Sequence, residues 1–185
     1  MAEVIRFEDR ALKSLRDRLG AAEEARDDAI AFARGHSGAT ASIHHAALSL
    51  MRCESVPCLF DTIVRDWARL LEVDHTAVAL KAGGKAYRID EDGNHLLEPA
   101  WITRAMGLGK VQMRATNHGD PLFGKIAARI RTEALIPFEA EKGRLAGLIL
   151  LGQEDSLPLD GAHGAKLLAF LGETLGAMLV RCGRG

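Results

Sequence analysis

The residues of this chain that could host nucleophilic or metal chemistry are Cys53, Cys58 and the adjacent His44 and His45. A nucleophile needs its base within hydrogen-bond reach. All four residues fall on helical segments, whereas the stretch 73–156, where a ligand site is expected, contains no cysteine. His44 and His45 are neighbours and so diverge around a helix. Cys53 and Cys58 stand five apart instead of at the i, i+4 spacing that converges on one ion. The expectation is therefore no catalytic residue, no metal ligand and no cofactor, with the thiols buried and the histidines at a surface or interface. Gly107, Gly109 and Lys110 imitate a phosphate loop, but Val111 stands where Ser or Thr must follow the lysine, and the glycine cradle is too short. A helix stop before a strand accounts for them. What remains is a soft pocket. Trp101, Met106, Met113 and Phe123 offer apolar surface in an irregular middle stretch, with Arg114 and Arg131 available to meet an anionic group. The competing expectation is that Trp101 and Phe123 close the core while the arginines face water.

The elements that must position these residues follow from period and punctuation. From about Val4 to Arg34 charge is dense, proline is absent, and Ile5, Leu12, Leu15, Leu19, Ala22, Ala29 and Ala33 follow a heptad seam. So narrow a stripe needs a second helix along it, which predicts a coiled-coil arm over residues 1–36 and a dimer interface at Leu12, Leu15, Leu19 and Ala22. Gly35, Ser37 and Gly38 interrupt the seam. A second helix over 40–52 places Ile43, Ala46, Ala47 and Leu50 on one face. Ser55 is a good N-cap with Pro57 in the first turn, and Leu59, Ile63, Val64 and Trp67 recur at helical spacing after it.

At Val73 the period changes to that of strands. Residues 76–80 read as a buried strand, 81–84 as a glycine turn and 85–89 as a half-exposed strand, together a hairpin. Glu91 to Asn94 reads as a further turn. Pro99 opens a short helix to Met106, a strand follows around 111–114, and a helix-like segment carries Leu122, Phe123, Ile126 and Ile130. Strands over 133–138 and 145–151 make a second hairpin. LAGLILLG is apolar on both faces and so central to the sheet. The last helix, 161–181, contains Gly172 and Gly176, tolerable where another backbone packs closely. Hairpins between terminal helices predict an α+β fold: an antiparallel sheet with helices on one face and the irregular middle segment on the other, residues 37–185 forming the domain.

Composition narrows the function classes. The chain has 185 residues, with 24 Lys and Arg against 25 Asp and Glu and a formal net charge of -1. No global field draws it to nucleic acid or anionic lipid. Charged residues at the start, together with the lack of any long apolar run, predict a cytoplasmic location without a membrane partner. Three cysteines, an odd count without repeated spacing, suit reduced thiols.

Four stretches carry a family resemblance: DPLFG at 120–124, IRTEALIPF at 130–138, LAGLILLGQED at 145–155 and LDGAHGAKLLAFLGETLGAMLV at 159–180. They resemble the bacterial domain of unknown function family 484, which is similar to GAF domains. The resemblance implies a GAF-like fold holding a small ligand between the sheet and its irregular connections, with dimerisation through flanking helices. The Asn-Lys and Asp-Glu pairs by which some GAF domains hold cyclic nucleotides are not visible. The functional expectation is a non-catalytic regulatory or small-ligand-binding module, most simply a homodimer, serving an unknown small molecule and a protein partner. The alternative is a structural adaptor with a vestigial pocket.

Overall fold

The computed structural model describes residues 20, 23, 38–107, 109–140, 144–156 and 161–183, without the side chains of 161–163. The chain divides into two compact units, Met1–Thr40 and Ala41–Gly185. The expected coiled-coil seam at Leu12, Leu15, Leu19 and Ala22 lies outside the described residues. The second unit holds the sheet and the helices that cover it.

Helix α1 (residues 41–51 of this unit) buries Ile43, Ala46, Ala47 and Leu50, the i, i+3, i+4, i+7 stripe of an amphipathic helix. Helix α2 (Val56–Leu71) begins where Ser55 Oγ accepts the Cys58 N–H at 3.4 Å, with Pro57 in the first turn, where it costs no hydrogen bond. It buries Leu59, Ile63, Val64 and Trp67 and stops at Glu72, which turns left-handed at φ 54°.

Strands β1 (His75–Ala82) and β2 (Lys85–Asp90) form the expected hairpin. Its two turn residues, Gly83 and Gly84, both take positive φ (57° and 79°), as a tight hairpin turn of the primed type demands. Strand β3 (Gly93–Leu97) follows, then helix α3 (Pro99–Met106), strand β4 (Gln112–Ala115), a 3-10 segment (Pro121–Ala128), strands β5 (Thr132–Ala140) and β6 (Leu145–Gln153), and helix α4 (Gly161–Cys182). The six strands make one sheet in the order β3-β2-β1-β6-β5-β4, every pair antiparallel. The apolar run in β6 lies between β1 and β5, as expected of a strand buried on both faces.

Strand register sorts the side chains. Val78, Leu80, Ile136, Phe138, Ile149 and Leu151 face one way and pack with α1, α2 and α4 in the larger core. Ala77, Ala79, Ala86, Leu135, Leu148 and Leu150 face the other way, against Ile102 of α3 and Leu122, Phe123 and Ala127 of the 3-10 segment. The fold is thus α+β, with helices on one face of an antiparallel sheet and the irregular segment on the other.

Two elements differ from the sequence reading. The turn expected over 91–94 is shorter, because Asp90 Oδ1 accepts the Asp92 N–H at 3.0 Å and the chain enters β3 at Gly93. Strand β3 sits at the sheet edge with alternate residues exposed, so it carries no apolar run to announce it. The segment after Pro121 is 3-10 instead of α-helical because Gly124 breaks it at φ 63°. A side chain there would collide with the Arg88 guanidinium. Among the described residues no helix is long and apolar enough to cross a membrane.

Candidate functional site

The face of the sheet beneath α3 and the 3-10 segment is paved at its centre with small residues: Ala77, Ala79 and Ala86, all buried. Large side chains descend onto this paving. Ile102, Leu122, Phe123 and Ile130 are at most 2% exposed, and a β-carbon on Gly152 would meet Ile130 and Phe123. The centre of this face is therefore solid core, and any site lies at its rim.

Three polar clusters ring that core, and each is internally satisfied. On the β2–β3 side, Arg88 Nε donates to Asp90 Oδ2 at 2.5 Å, while Asp90 Oδ1 lies 2.9 Å from His95 Nε2. At the β4–β5 end, the buried Glu133 carboxylate pairs with Arg114 and accepts the Asp120 N–H at 2.7 Å. Asp120 in turn caps the 3-10 segment by accepting the Leu122 N–H at 3.0 Å. In the third cluster, Glu154 sits 2.7 Å from His75 Nε2 and 2.6 Å from Arg129. The hydrogen bond from His75 holds its carboxyl below the usual carboxylate range, and Arg129 adds to the effect. These pairs are the devices that fasten the 3-10 segment and the strand ends to the sheet.

One cleft differs in character. Beside the β1–β2 turn and the C-terminal end of α3 is a hollow of about 400 Å³, lined by Lys81, Gly83, Gly84, Thr103, Met106 and Arg144, with Ala82, Gly107 and Ala146 completing its wall. Lys81 Nζ donates to Thr103 Oγ1 at 3.2 Å, a neutral partner, and Thr103 Oγ1 in turn donates to Pro99 O at 3.0 Å. No carboxylate belongs to the described lining. Two other hollows of similar size lie against α2 and β2. One, of about 470 Å³, has Asp61, Asp90 and Glu91 in its wall beside Arg65. The other, of about 430 Å³, is mostly apolar, with Val56, Phe60, Leu80 and Tyr87. The cleft at Lys81 alone among these three offers positive charge without an acid beside it.

The six residues expected to form a pocket do not gather in one place. Met106 lines the cleft. Trp101 is on α3 but 39% exposed, and Phe123 is part of the closed core. Met113 belongs to the opposite side of the sheet: strand alternation turns it toward the larger core, where its methyl group lies near Gly164 of α4. Arg114 is held by Glu133 and Asp120. Arg131 Nη1 donates to the carbonyls of Asn117, Ala128 and Ile130 at 2.8–3.2 Å and so braces the loop. The sequence reading passed over Lys81, Thr103 and Arg144. A signal for Lys81 existed: it shares parity with Ala77 and Ala79 in β1, so its place on the inner face could have been read off as a charge aimed inward.

The spacing of Cys53 and Cys58 is not one that converges on an ion along a single helix, but the two thiols meet across the turn between α1 and α2. That turn brings Cys53 Sγ within 2.6 Å of Cys58 Sγ, because five residues spanning a helix–turn–helix junction do not follow helical spacing. His44 and His45 are both exposed.

The arrangement of sheet and helices is that of GAF domains. Similar solved structures include the GAF domain of a sensor histidine kinase from Pseudomonas syringae pv. tomato, at 10% identity and TM-score 0.53, covering 82% of this chain and 91% of that one. The GAF domain of an Acinetobacter phosphoenolpyruvate-protein phosphotransferase matches at 9% identity and TM-score 0.55, over 77% of this chain and 93% of that one. A far-red absorbing dark-state structure with bound biliverdin matches at 10% identity and TM-score 0.56, over 77% and 99%. No family model matches the chain, and no curated protein matches it.

Proposed function

We propose that this chain is a non-catalytic regulatory module of GAF fold that binds a small anionic molecule in the cleft between the β1–β2 turn and α3, and that dimerises or docks through its flanking helices. The observation that carries the reading is the pair Lys81 and Arg144, two cations on a hollow whose described lining holds no acid. At about 400 Å³ the space suits a metabolite-sized ligand. Met106, Ala82 and Ala146 offer it an apolar wall. A tetrapyrrole such as the biliverdin of the third relative suits the chain poorly, since Phe123 and Leu122 occupy the middle of the face and 73–156 has no cysteine for attachment. Membership of the domain of unknown function family 484, a cytoplasmic location and a homodimer built on the arm belong to the same proposal and rest, in turn, on the motifs, the lack of a long apolar run and the heptad seam.

The test is a thermal-shift screen of keto acids, amino acids and nucleotides against the full chain. A ligand of the native state raises Tm in proportion to RT ln(1 + [L]/Kd). Lys81→Ala and Arg144→Ala should each weaken the bound anion by roughly tenfold or more, the usual weight of a hydrogen bond to a charged group. A flat screen, or a shift that both variants leave intact, overturns the cleft as the site.

The filled centre of the face favours a second reading, an adaptor whose pocket is vestigial and whose arm does the work. Removing residues 1–36 should then abolish self-association, measured by sedimentation, while the circular dichroism of the body is retained. A truncated body that still dimerises would move the interface to the helices of the body and count against the arm.

A further inference from the structure

The thiols stand outside the cleft and outside all three polar clusters at the rim of the sheet. Cys53 lies in the connection between α1 and α2, and Cys58 in the first turn of α2. Their sulfurs are 2.6 Å apart. A disulfide bond measures about 2.04 Å, so an approach of about 0.6 Å, within the reach of two side-chain rotations, makes the bond. We propose that Cys53 and Cys58 are a reversible disulfide pair, a redox-modification site that a peroxide closes and a dithiol reopens.

The two sulfurs have different access. Cys53 is 2% exposed and Cys58 partly exposed, so Cys58 is the one a small peroxide meets. Its thiol is oxidised to a sulfenic acid as the O–O bond breaks and one water leaves. The Cys53 sulfur then attacks Cys58 Sγ. The S–O bond breaks, the S–S bond forms, and the hydroxyl departs as a second water with the proton of Cys53. Two thiols and one hydrogen peroxide yield one disulfide and two waters, with two electrons passing from sulfur to oxygen. A dithiol reductant reverses the bond through a mixed disulfide and is itself oxidised. Burial pushes the Cys53 thiol up, and Cys58 beside it adds to the effect, so it is contact with Cys58 Sγ, not acidity, that fits Cys53 to resolve the sulfenic acid.

The position of the pair links it to the helices that flank the sheet. Cys53 O accepts Arg181 Nη2 at 2.6 Å, and the same nitrogen reaches Met51 O at 3.2 Å. Cys182 Sγ donates to Cys53 O at 3.7 Å. The connection that would be closed covalently is therefore also where the last turn of α4 is fastened to the end of α1. Oxidation there ties that connection to the first turn of α2, at the point where α4 is hydrogen-bonded to it.

Trypsin reports the state directly. Cleavage after Arg52 and Arg65 places Cys53 and Cys58 in one peptide, and cleavage after Arg181 puts Cys182 in another. The full-length native protein is treated with hydrogen peroxide, alkylated, digested and weighed. The expected result is that peptide 53–65 becomes lighter by two hydrogen atoms and resists alkylation, that Cys182 stays alkylated, and that dithiothreitol restores both thiols. In Cys58→Ser the peptide should remain alkylatable at Cys53, and in Cys182→Ser the bond should still form. Peroxide-treated protein in which both thiols of peptide 53–65 still alkylate, in which Cys58 runs on to a sulfinic acid, or in which Cys182 enters the crosslink overturns the proposal. Because the wild-type measurement decides it, a misfolded variant does not rescue it.

Discussion

Trp67→Ala is expected to lower the stability of the body by about 3–5 kcal/mol, the cost of removing a large aromatic from a packed core. Trp67 is fully buried on α2, and its neighbours Leu59 and Ile63 are equally inaccessible. It also joins two helices: the indole N–H donates to Ser49 Oγ of α1 at 3.2 Å, and Ser49 Oγ donates to Ala46 O at 2.7 Å. Truncation therefore opens a cavity and removes a hydrogen bond between α1 and α2 in the same step. The measurement is a urea titration followed by far-ultraviolet circular dichroism. Ser49→Ala, which removes the acceptor but little volume, should cost nearer 1 kcal/mol. A loss below about 1 kcal/mol for Trp67→Ala would mean that the helix layer collapses freely around the gap, against the close packing of that core.

The second large effect concerns sign. Gly172 and Gly176 stand in the interior of α4, where alanine should by helix propensity alone add up to about 1 kcal/mol each. In this fold the opposite is expected. A β-carbon at Gly172 would overlap the Pro137 carbonyl oxygen, and one at Gly176 the Glu139 carbonyl oxygen, both backbone atoms of β5. Backbone in a paired strand cannot yield without moving its neighbours. Overpacking of this kind costs about 1–3 kcal/mol per site, so Gly172→Ala and Gly176→Ala should each destabilise, and the double variant more than either. Gly164→Ala is the control: its added carbon would touch only the flexible end of Met113, at 3.4 Å. It should be neutral or stabilising. Stabilisation by all three substitutions would show that α4 does not rest on β5 at these glycines.

Much of the architecture could be read before any coordinates, wherever the signal was local. Ser55 and Pro57 announce the start of α2, because a cap acts within one turn. Gly83 and Gly84 announce the β1–β2 turn, because its positive φ angles strain most residues that carry a side chain. The double-sided apolar run of β6 announces a central strand, because only a strand covered on both faces can bury it. Gly172 and Gly176 could be read as a close approach, although not of what.

Period and parity state which side of an element is buried; they do not state what is met there. The edge strand β3 was hidden for this reason: half its residues face water, and its pairing with β2 supplies what its sequence lacks. The same limit hid Arg144, which joins Lys81 in the cleft through the antiparallel register that sets Ala82 opposite Leu145. It assigned Met113 to a pocket on the wrong face, because the inward direction of a short strand depends on its neighbours. It also separated Cys53 from Cys58, whose approach depends on the angle at which two helices leave their connection. By itself the sequence determined most of the elements, their order and, in the longer ones, their buried sides, since these arise from forces acting within a turn or along a strand. The tertiary structure alone decided which charges share a hollow and which sulfurs share a contact, since those depend on pairing register and helix geometry between residues that the chain keeps apart.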